Sequence, residues 1–352
     1  MNMSANNDIK KWYESEGERS DVVISTRIRL ARNLNGYPFP HLMNQAQMKE
    51  VCEKVRDALT GGNSALRNSF RYVEADKLST VALASLVERH LISPEFAGAP
   101  QGRAILLMED ESVCIMINEE DHVRIQVMGS GMQLEKAYDM ADKIDTLLDE
   151  TLHFAFDEEL GYLTACPTNL GTGMRASVML HLPASEADGT LRRVAANLGK
   201  IGAAIRGSYG EGSRSTGAMY QISNQVTLGI SEKDTLSNLT DITNQIISLE
   251  KKSRANLLES ESYQDSVWRA LGLLKSARVM TSSEFAELYS ALRVGVAEGL
   301  INGMTLGSLS EAYESVQPAR LMEQYGEDMN SSQRDRKRAE ILREAFKNTV
   351  IA

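Results

Sequence analysis

The sequence has few cysteines and lacks long apolar segments. Its three cysteines, Cys52, Cys114 and Cys166, lie far apart without Cys-x-x-Cys spacing, so they predict neither a disulfide framework nor a zinc site. No apolar run is long enough to span a bilayer, and residues 1–11 are polar, unlike the apolar segment of a signal peptide. We therefore expect a cytoplasmic protein, in a reducing environment, that does not enter the membrane.

The sequence also lacks an excess of positive charge. Its formal net charge is −10, which argues against general nucleic-acid binding because that function usually requires a basic face. Hydrophobic residues make up 42% and charged residues 24%, as is usual for a soluble globular protein. A chain of 352 residues can bury one large core or two smaller ones.

The common nucleotide-binding signatures are absent as well. The pair Gly199-Lys200 is not part of a P-loop, because Ile201 follows it and Val194 occupies the position of the first glycine. The chain has neither the HRD nor the DFG motif of protein kinases. Residues 171–176 imitate a dinucleotide fingerprint, but a β-like run follows them where that fingerprint requires a helix. A phosphate-binding site in this protein would therefore have to be formed by residues other than those of these motifs.

The hydrophobic pattern predicts an α+β fold followed by a helical region. Three short β-like runs joined by tight polar turns predict an antiparallel meander; they are residues 104–108, 113–117 and 123–128. Two further runs, 162–166 and 176–182, are strand-like, and a long helix is predicted from residue 134 to 156. The final third contains no convincing strand. We expect an antiparallel sheet flanked by helices in residues 1–255 and an all-helical domain in residues 256–352.

Residues 118–124 are an acidic stretch between two β-like runs. Glu119, Glu120 and Asp121 occupy a predicted turn, and Arg124 follows on the next strand. Alternation places Arg124 and Gln126 on one face of that strand and the apolar residues on the other. One interpretation is a solvated hairpin turn. The other is a site in which a carboxylate handles a cationic substrate while the arginine holds an anion.

Five arginines lie at strand or loop edges: Arg27, Arg29, Arg124, Arg175 and Arg206. The guanidinium fork binds phosphate oxygens in bidentate fashion and keeps its charge, so such a set could neutralise a triphosphate without a P-loop. Arg175 and Arg206 adjoin glycines, where the main chain can approach a ligand closely. Taken singly, an arginine in such a position more often forms a surface ion pair.

Four blocks in order, 25–29, 118–124, 166–175 and 206–211, together resemble the catalytic domain of the guanidino (phosphagen) kinases. The resemblance implies an antiparallel sheet flanked by helices and an ATP–Mg²⁺ site lined by arginines, with Mg²⁺ held mainly by the nucleotide. It assigns nucleotide contacts to Ser25, Thr26, Arg27, Ile28, Arg29, His90, Arg124, Arg175, Ala176, Ser177, Val178, Met179, Arg206, Gly207, Ser208, Tyr209, Gly210 and Glu211.

The same resemblance implies that Glu120 and Glu211 hold the substrate guanidinium. In this interpretation Glu120 is the base and Glu211 orients the substrate and balances its charge. Cys166 matches the family's cysteine beside the guanidinium. Without the resemblance, Cys166 could be a core cysteine at a strand end, and His90 a histidine at a helix end.

Two differences from creatine and arginine kinases indicate which members of the family this sequence resembles. Those kinases carry a helical domain before the Ser-Thr-Arg block, where this sequence has only residues 1–20, so we expect a guanidinium pocket open on one side. This chain also has a helical extension that resembles the bacterial protein-arginine kinases. Its RDxxRA motif (Arg334, Asp335, Arg338 and Ala339) implies an allosteric phosphoarginine site. On pattern alone, the motif could be a solvated basic helix.

We therefore expect transfer of the γ-phosphoryl of ATP to arginine side chains of proteins. The resemblance further implies a zinc-binding activator protein, a Clp-type unfoldase or protease, a role in stress-response protein degradation, and a homodimer or higher oligomer. Two alternatives stay open: a kinase for a small guanidino compound such as free arginine, and a non-catalytic adaptor that binds phosphoarginine.

Overall fold

The computed structural model describes residues 9–61, 66–207, 216–326 and 328–352. The strands are β1 (Val23–Arg32), β2 (Phe70–Glu74), β3 (Ala104–Met108), β4 (Val113–Ile117), β5 (Val123–Ser130), β6 (Phe156–Asp157), β7 (Gly161–Tyr162), β8 (Met174–His181), β9 (Ala203–Gly207), β10 (Met219–Asn224), β11 (Ile301–Asn302) and β12 (Val350–Ile351). The helices are α1 (Gln45–Thr60), α2 (Thr80–Glu88), α3 (Pro94–Gly98), α4 (Leu134–Leu152), α5 (Pro183–Ala187), α6 (Thr190–Leu198), α7 (Glu232–Leu258), α8 (Glu261–Ser276), α9 (Ser282–Ala297), α10 (Leu306–Ser315), α11 (Pro318–Tyr325) and α12 (Ser331–Ala345).

Eight of these strands form one antiparallel sheet in the order β2-β3-β4-β5-β1-β8-β10-β9. The meander β3-β4-β5 and the α+β class are confirmed. Strand β1 lies near the centre because it pairs with β5 on one side and with β8 on the other. Its side chains alternate between faces, so Ile28 and Leu30 enter the core while Arg27 and Arg29 face the opposite way.

The two faces of the sheet are covered differently. On one face, helices α1, α4 and α7 bury a continuous apolar cluster that includes Val51, Ile144 and Leu148. On the other face, α2 and α3 cover only the β2–β4 side, through residues such as Leu86 and Phe96. The helical region covers the far ends of β1, β8 and β10. The central strands between these two covers carry the arginines.

Residues beyond α7 form a helical region with its own apolar core, in which Phe285, Leu292, Leu309 and Phe346 are buried. The predicted helical C-terminal region is confirmed, with one short addition: β11 and β12 form a two-stranded pair. The division at residue 255 stays a prediction, and that residue lies within α7. Within the described residues, no helix combines the length and apolar character needed to cross a membrane.

Two buried arginines, one on α7 and one in the helical region, hold the segment before β1. Arg254 on α7 donates to the Asp21 carbonyl at 3.1 Å, and Arg293 on α9 donates to the Ser20 carbonyl at 2.7 Å. Both side chains are almost wholly buried, so their charges depend on these bonds and on Glu250 beside Arg254. Helix α7 and the helical region therefore fix the entry of the central strand.

Two predicted elements end earlier than expected. Helix α4 stops at Leu152 because His153 adopts a left-handed conformation (φ 53°), and the Asp149 carboxylate accepts from the Phe154 amide at 2.7 Å. The predicted strand 162–166 is reduced to Gly161–Tyr162. Side chains of the acidic turn and of Asn33 take the hydrogen bonds that strand pairing would have used in this segment.

The interface between the helical region and the sheet contains an acid with an unusual pKa. Glu314 on α10 has a buried Oε2 that, within the described residues, accepts no hydrogen bond. Burial, and then the negative charges of Glu111 and Glu88, raise its pKa to about 8, against the opposing effects of Arg89 and Arg320. Because the folded-state pKa exceeds the unfolded value, Glu314 contributes stability at low pH and loses it as pH rises from about 4.5 to about 8.

We expect Glu314→Gln to raise the thermal midpoint by about 2 °C or more above pH 8, because the neutral amide removes the cost of a buried charge. Near pH 5 the carboxyl of the parent is already protonated, so the two midpoints should agree closely. Scanning calorimetry at both pH values tests this. An equal shift at both values would contradict it.

Candidate active site

One face of the sheet carries arginines on the neighbouring strands β5, β1 and β8 and another on β9. Arg29 on β1 lies opposite Arg175 on β8 and opposite Gln126 on β5. Arg27 lies two residues away on the same face of β1, and Arg124 lies opposite Ala31. Arg206 on β9 is opposite Gln221 on β10, and its charge also acts on Arg175. The sheet thus brings together the five arginines selected from the sequence.

Positive charges on adjacent strands of one sheet face destabilise one another. Burial, and then Arg124 and Arg175, lower the pKa of Arg27 to about 10. Burial and the three neighbouring arginines lower the pKa of Arg29 well below its usual range. The Arg29 Nε atom is buried and, among the described residues, has no hydrogen-bond partner. A bound polyanion would relieve both the repulsion and this unmet donor, so the residues fit the phosphates of ATP.

Two polar side chains orient the arginines. Gln221 Oε1 accepts from Arg27 Nη2 at 2.9 Å. Glu119 forms a salt bridge with Arg124 and accepts a 2.5 Å hydrogen bond from Ser93. Burial raises the pKa of Glu119, but Arg124 and Ser93 outweigh it and hold that pKa below its ordinary value. Glu119, left without a role by the sequence, is therefore a charged partner of a cleft arginine.

Glu120, the neighbouring acid, faces a different partner. The Cys166 side chain lies near its carboxylate and acts on its pKa, lowering it slightly. Partial burial, and then the charge of Asp121, raise its pKa, while Arg124 acts in the opposite direction. The Cys166 sulfur lies 3.0 Å from Thr168 Oγ1 and is half-exposed. The structure therefore brings Glu120 and Cys166 together, and a carboxylate with a raised pKa is a stronger base than an ordinary one.

His90 lies at the other side of the cleft, just after α2. It has a left-handed backbone (φ 59°), and its carbonyl accepts from Gln126 Nε2 at 2.7 Å. The surrounding protein, and then the charge of Arg27, lower the pKa of this exposed imidazole. The imidazole is therefore neutral at pH 7, which suits a contact with a base or ribose rather than with phosphate.

The rest of the predicted nucleotide set divides between the two faces. Ser25, Ser177 and Met179 share a face with the arginines, and Met179 packs against the helical region. Ile28, Ala176 and Val178 are buried in the core on the opposite face, and Thr26 donates to the Gly131 carbonyl. Gly207 ends β9. Residues 208–211, which include Ser208, Tyr209, Gly210 and Glu211, lie outside the described residues.

The RDxxRA residues lie on α12, away from this cleft. Arg338 is 1% exposed and donates to the carbonyls of Val316 and Met280, at 3.0 and 2.9 Å, and to the Asp335 carboxylate at 2.7 Å. Ala339 is buried in the helical core. Arg334 is partly exposed and donates to the Met329 carbonyl. The assignment of these residues to a phosphoarginine site stays a prediction.

Several functional side chains were not selected from the sequence. Gln126 shares a face with Arg124 on β5, and a polar residue on the second face of a central strand is a usable signal. Gln221 carries a similar signal, because it lies between less polar residues of β10. Ser93 and Asn33 carry none, since their partners are distant in sequence.

The chain is similar to known proteins over most of its length. Residues 50–253 match the family described as ATP:guanido phosphotransferase, C-terminal catalytic domain, and residues 260–350 match the protein-arginine kinase McsB C-terminal domain. The chain is 46% identical over 324 residues to a protein-arginine kinase of Caldanaerobacter subterraneus subsp. tengcongensis, covering 92% of this chain and 96% of that protein. It is 42% identical over 351 residues to a protein-arginine kinase of Pelotomaculum thermopropionicum, covering 99% of each. A crystal structure of lombricine kinase is similar with a TM-score of 0.60 and 26% identity, covering 68% of this chain and 69% of that one.

Proposed function

The chain belongs to the protein-arginine kinases, a family of ATP-dependent phosphotransferases, and from this premise we propose how its residues transfer the γ-phosphoryl of ATP to arginine side chains of proteins. The observation that carries the proposal is that a cleft lined by several arginines lies next to Glu120, a carboxylate whose pKa is raised. The arginines suit a polyanion such as a triphosphate, and Glu120 suits a guanidinium.

The arginines bind and orient the phosphates. Arg29, Arg27 and Arg175 share one face of adjacent strands, so their forks would surround the phosphate chain. Arg124, held by Glu119, presents a fixed charge beside the acidic turn. Because charge on the phosphoryl oxygens must be stabilised throughout transfer, a rigid set of cations lowers the barrier. Mg²⁺, when bound, would add charge neutralisation, with most of its ligands coming from the nucleotide.

Glu120 prepares the acceptor. A guanidinium is a poor nucleophile because its pKa lies above about 12 and its lone pairs are delocalised. Glu120 accepts the proton that leaves the attacking nitrogen as the N–P bond forms and the bond from the γ-phosphorus to the ADP oxygen breaks. Cys166, which lies near Glu120, would be beside the acceptor. Glu211 would hold the opposite side of the guanidinium.

The experiment that tests the function compares two acceptors. The protein is incubated with ATP and either casein or free arginine, and products are analysed by mass spectrometry under non-acidic conditions. We expect phosphate on casein arginines. Phosphate on free arginine alone would favour a small-molecule guanidino kinase, and nucleotide binding without turnover on either acceptor would favour an adaptor.

The RDxxRA segment extends the proposal to regulation by phosphoarginine. Arg334 is its accessible cation, while Asp335 and Arg338 fix the helix around it. The charges of Arg338 and Arg334 also act on Glu88, which accepts from the amides of Ala319 and Arg320 at the start of α11. Glu88 ends α2, two residues before His90. This physical connection between α12 and the cleft supports an allosteric role.

We expect Arg334→Ala to abolish the response to added phosphoarginine, measured as the ratio of kinase activity with and without it. A single substitution suffices because Asp335→Ala would also remove a partner of buried Arg338. The matched control is Arg336→Ala, an exposed arginine on the same helix bonded to Ser332. A parent-like ratio in Arg334→Ala would contradict the assignment.

The proposed setting follows the family resemblance of the whole chain. It comprises a cytoplasmic location, a role in stress-response protein degradation, a zinc-binding activator protein, a Clp-type unfoldase or protease, and a homodimer or higher oligomer. The near full-length identity to protein-arginine kinases supports these statements. Sedimentation and pull-down from stressed cells test the oligomer and the partners.

A further inference from the structure

Asn33, the residue after β1, connects three separate segments of the chain. Its Nδ2 donates to Asp121 Oδ1 at 2.6 Å and to the Leu163 carbonyl at 2.9 Å, and its Oδ1 accepts from the His122 amide at 2.9 Å. The side chain is 3% exposed, so these bonds replace water completely. The end of the central strand is thereby tied both to the acidic turn and to the segment before Cys166.

Asp121 completes the connection. Its Oδ1 also accepts from the Ala165 amide at 2.7 Å, and the side chain is 3% exposed. Asp121 is adjacent in sequence to Glu120, and Ala165 is adjacent to Cys166. The bond between Asp121 and Ala165 therefore joins the neighbours of Glu120 and Cys166. If this bond were lost, Glu120 could move relative to Cys166.

We infer that Asn33 and Asp121 are positioning residues that fix Glu120 against Cys166 and set the place of the acceptor guanidinium. This inference rests on the proposed function of Glu120. The segment 163–166 needs such an anchor because it lies outside the strands, between β7 and the loop before β8. Its other hydrogen bonds include one from the Leu163 amide to the Ala155 carbonyl and, within residues 164–169, bonds from Thr164 Oγ1 and the Asn169 amide to the Cys166 carbonyl.

The arginine cleft does not depend on this connection. Arg29 and Arg175 are held by the pairing of β1 with β8, and Arg27 by Gln221. Loosening the turn should therefore affect transfer to the acceptor more than binding of ATP. A purely structural role for Asn33 would instead lower stability while leaving the balance between these two properties unchanged.

The test is an exchange of the two side chains. Asn33→Asp keeps the size of the residue but removes both amide donors and opposes two carboxylates. We expect kcat to fall about 100-fold, as for a misplaced reacting group, with little change in KM for ATP. In the double variant Asn33→Asp with Asp121→Asn, the two carboxylates no longer oppose each other, and the amide at position 121 can donate to the new carboxylate. The bond to the Leu163 carbonyl is not restored, so we expect that variant to recover part of the loss.

Alkylation of Cys166 by iodoacetamide gives a second readout, followed by peptide mass spectrometry. Cys52 and Cys114 are buried, so Cys166 should react first. We expect several-fold faster alkylation in Asn33→Asp and a rate closer to the parent in the double variant. This comparison requires no turnover, so it tests the positioning role even if the proposed function fails.

The matched control is Asn118→Gly, at the start of the same turn. Asn118 is also buried, but it donates to the carbonyls of Met48 and Gly102, away from segment 163–166. Glycine accepts its positive φ of 62°. We expect a lower thermal midpoint with parent-like alkylation of Cys166. The inference is overturned if Asn33→Asp alkylates like the parent, if Asn118→Gly gives the same pattern, or if the double variant recovers nothing.

Discussion

Replacing Glu120 with glutamine is expected to reduce phosphoryl transfer to protein arginine by about 10³-fold while ATP still binds. The amide keeps the size of the side chain but cannot accept a proton, and loss of a general base typically costs between about 10² and 10⁴ in rate. The nucleotide arginines lie on β1, β5, β8 and β9, so they remain in place. Rapid-quench assays of transfer and calorimetric titration with ATP provide the two measurements.

The dependence of the transfer rate on pH tests the role of Glu120 as the base independently. Because burial and Asp121 raise the pKa of Glu120, transfer by the parent should fall as pH drops through that raised pKa, where the base becomes protonated. The residual activity of Glu120→Gln should lack this acidic limb. Glu135→Gln, an exposed acid in the first turn of α4, serves as a control and should match the parent. Near-full activity of Glu120→Gln would exclude Glu120 as the base.

The second large effect is expected for Arg29, the arginine most closely surrounded by others. Arg29→Ala should lower kcat by about 10³-fold, in the range found for arginines that stabilise phosphoryl transfer. It should also weaken ATP binding. Arg29→Lys should recover only part of the loss, because an ammonium is a point charge that cannot bind two phosphate oxygens as a planar fork does.

Thermal unfolding separates this effect from misfolding. In the free protein Arg29 is a crowded cation with a buried Nε that has no partner among the described residues. Removing it should leave the ligand-free protein as stable as the parent or more stable, while the stabilisation by added ATP shrinks. Arg56→Ala, which removes an exposed arginine paired with Asp57, is the control. Unchanged stabilisation by ATP in Arg29→Ala would contradict its role.

The sequence predicts which way a side chain faces wherever the two-residue alternation of a strand decides it. Alternation along β1 separates Arg27 and Arg29 from Ile28, and the same rule orients Arg124 on β5. The register that sets Arg29 opposite Arg175 depends on a pairing between distant strands, which no local pattern specifies. The resemblance supplied that part of the site.

Other features depend on side chains that find partners across the fold. The four-residue spacing of Arg334 and Arg338 correctly suggests one helix, but Arg338 is directed into the core by the Val316 and Met280 carbonyls. Likewise, the three adjacent acids look equivalent in sequence. Tertiary partners distinguish them, because Glu119 binds Arg124, Glu120 meets Cys166, and Asp121 is buried with Asn33.

The central position of β1 has a consequence for folding during synthesis. Strand β1 leaves the ribosome before β5 and β8 and can complete neither of its pairings until those strands have been made. Its entry is fixed later still, when Arg254 and Arg293 reach the carbonyls of Asp21 and Ser20. Until β8 is made, a nascent chain therefore has no complete phosphate-binding surface, and its unpaired β1 is open to mispairing.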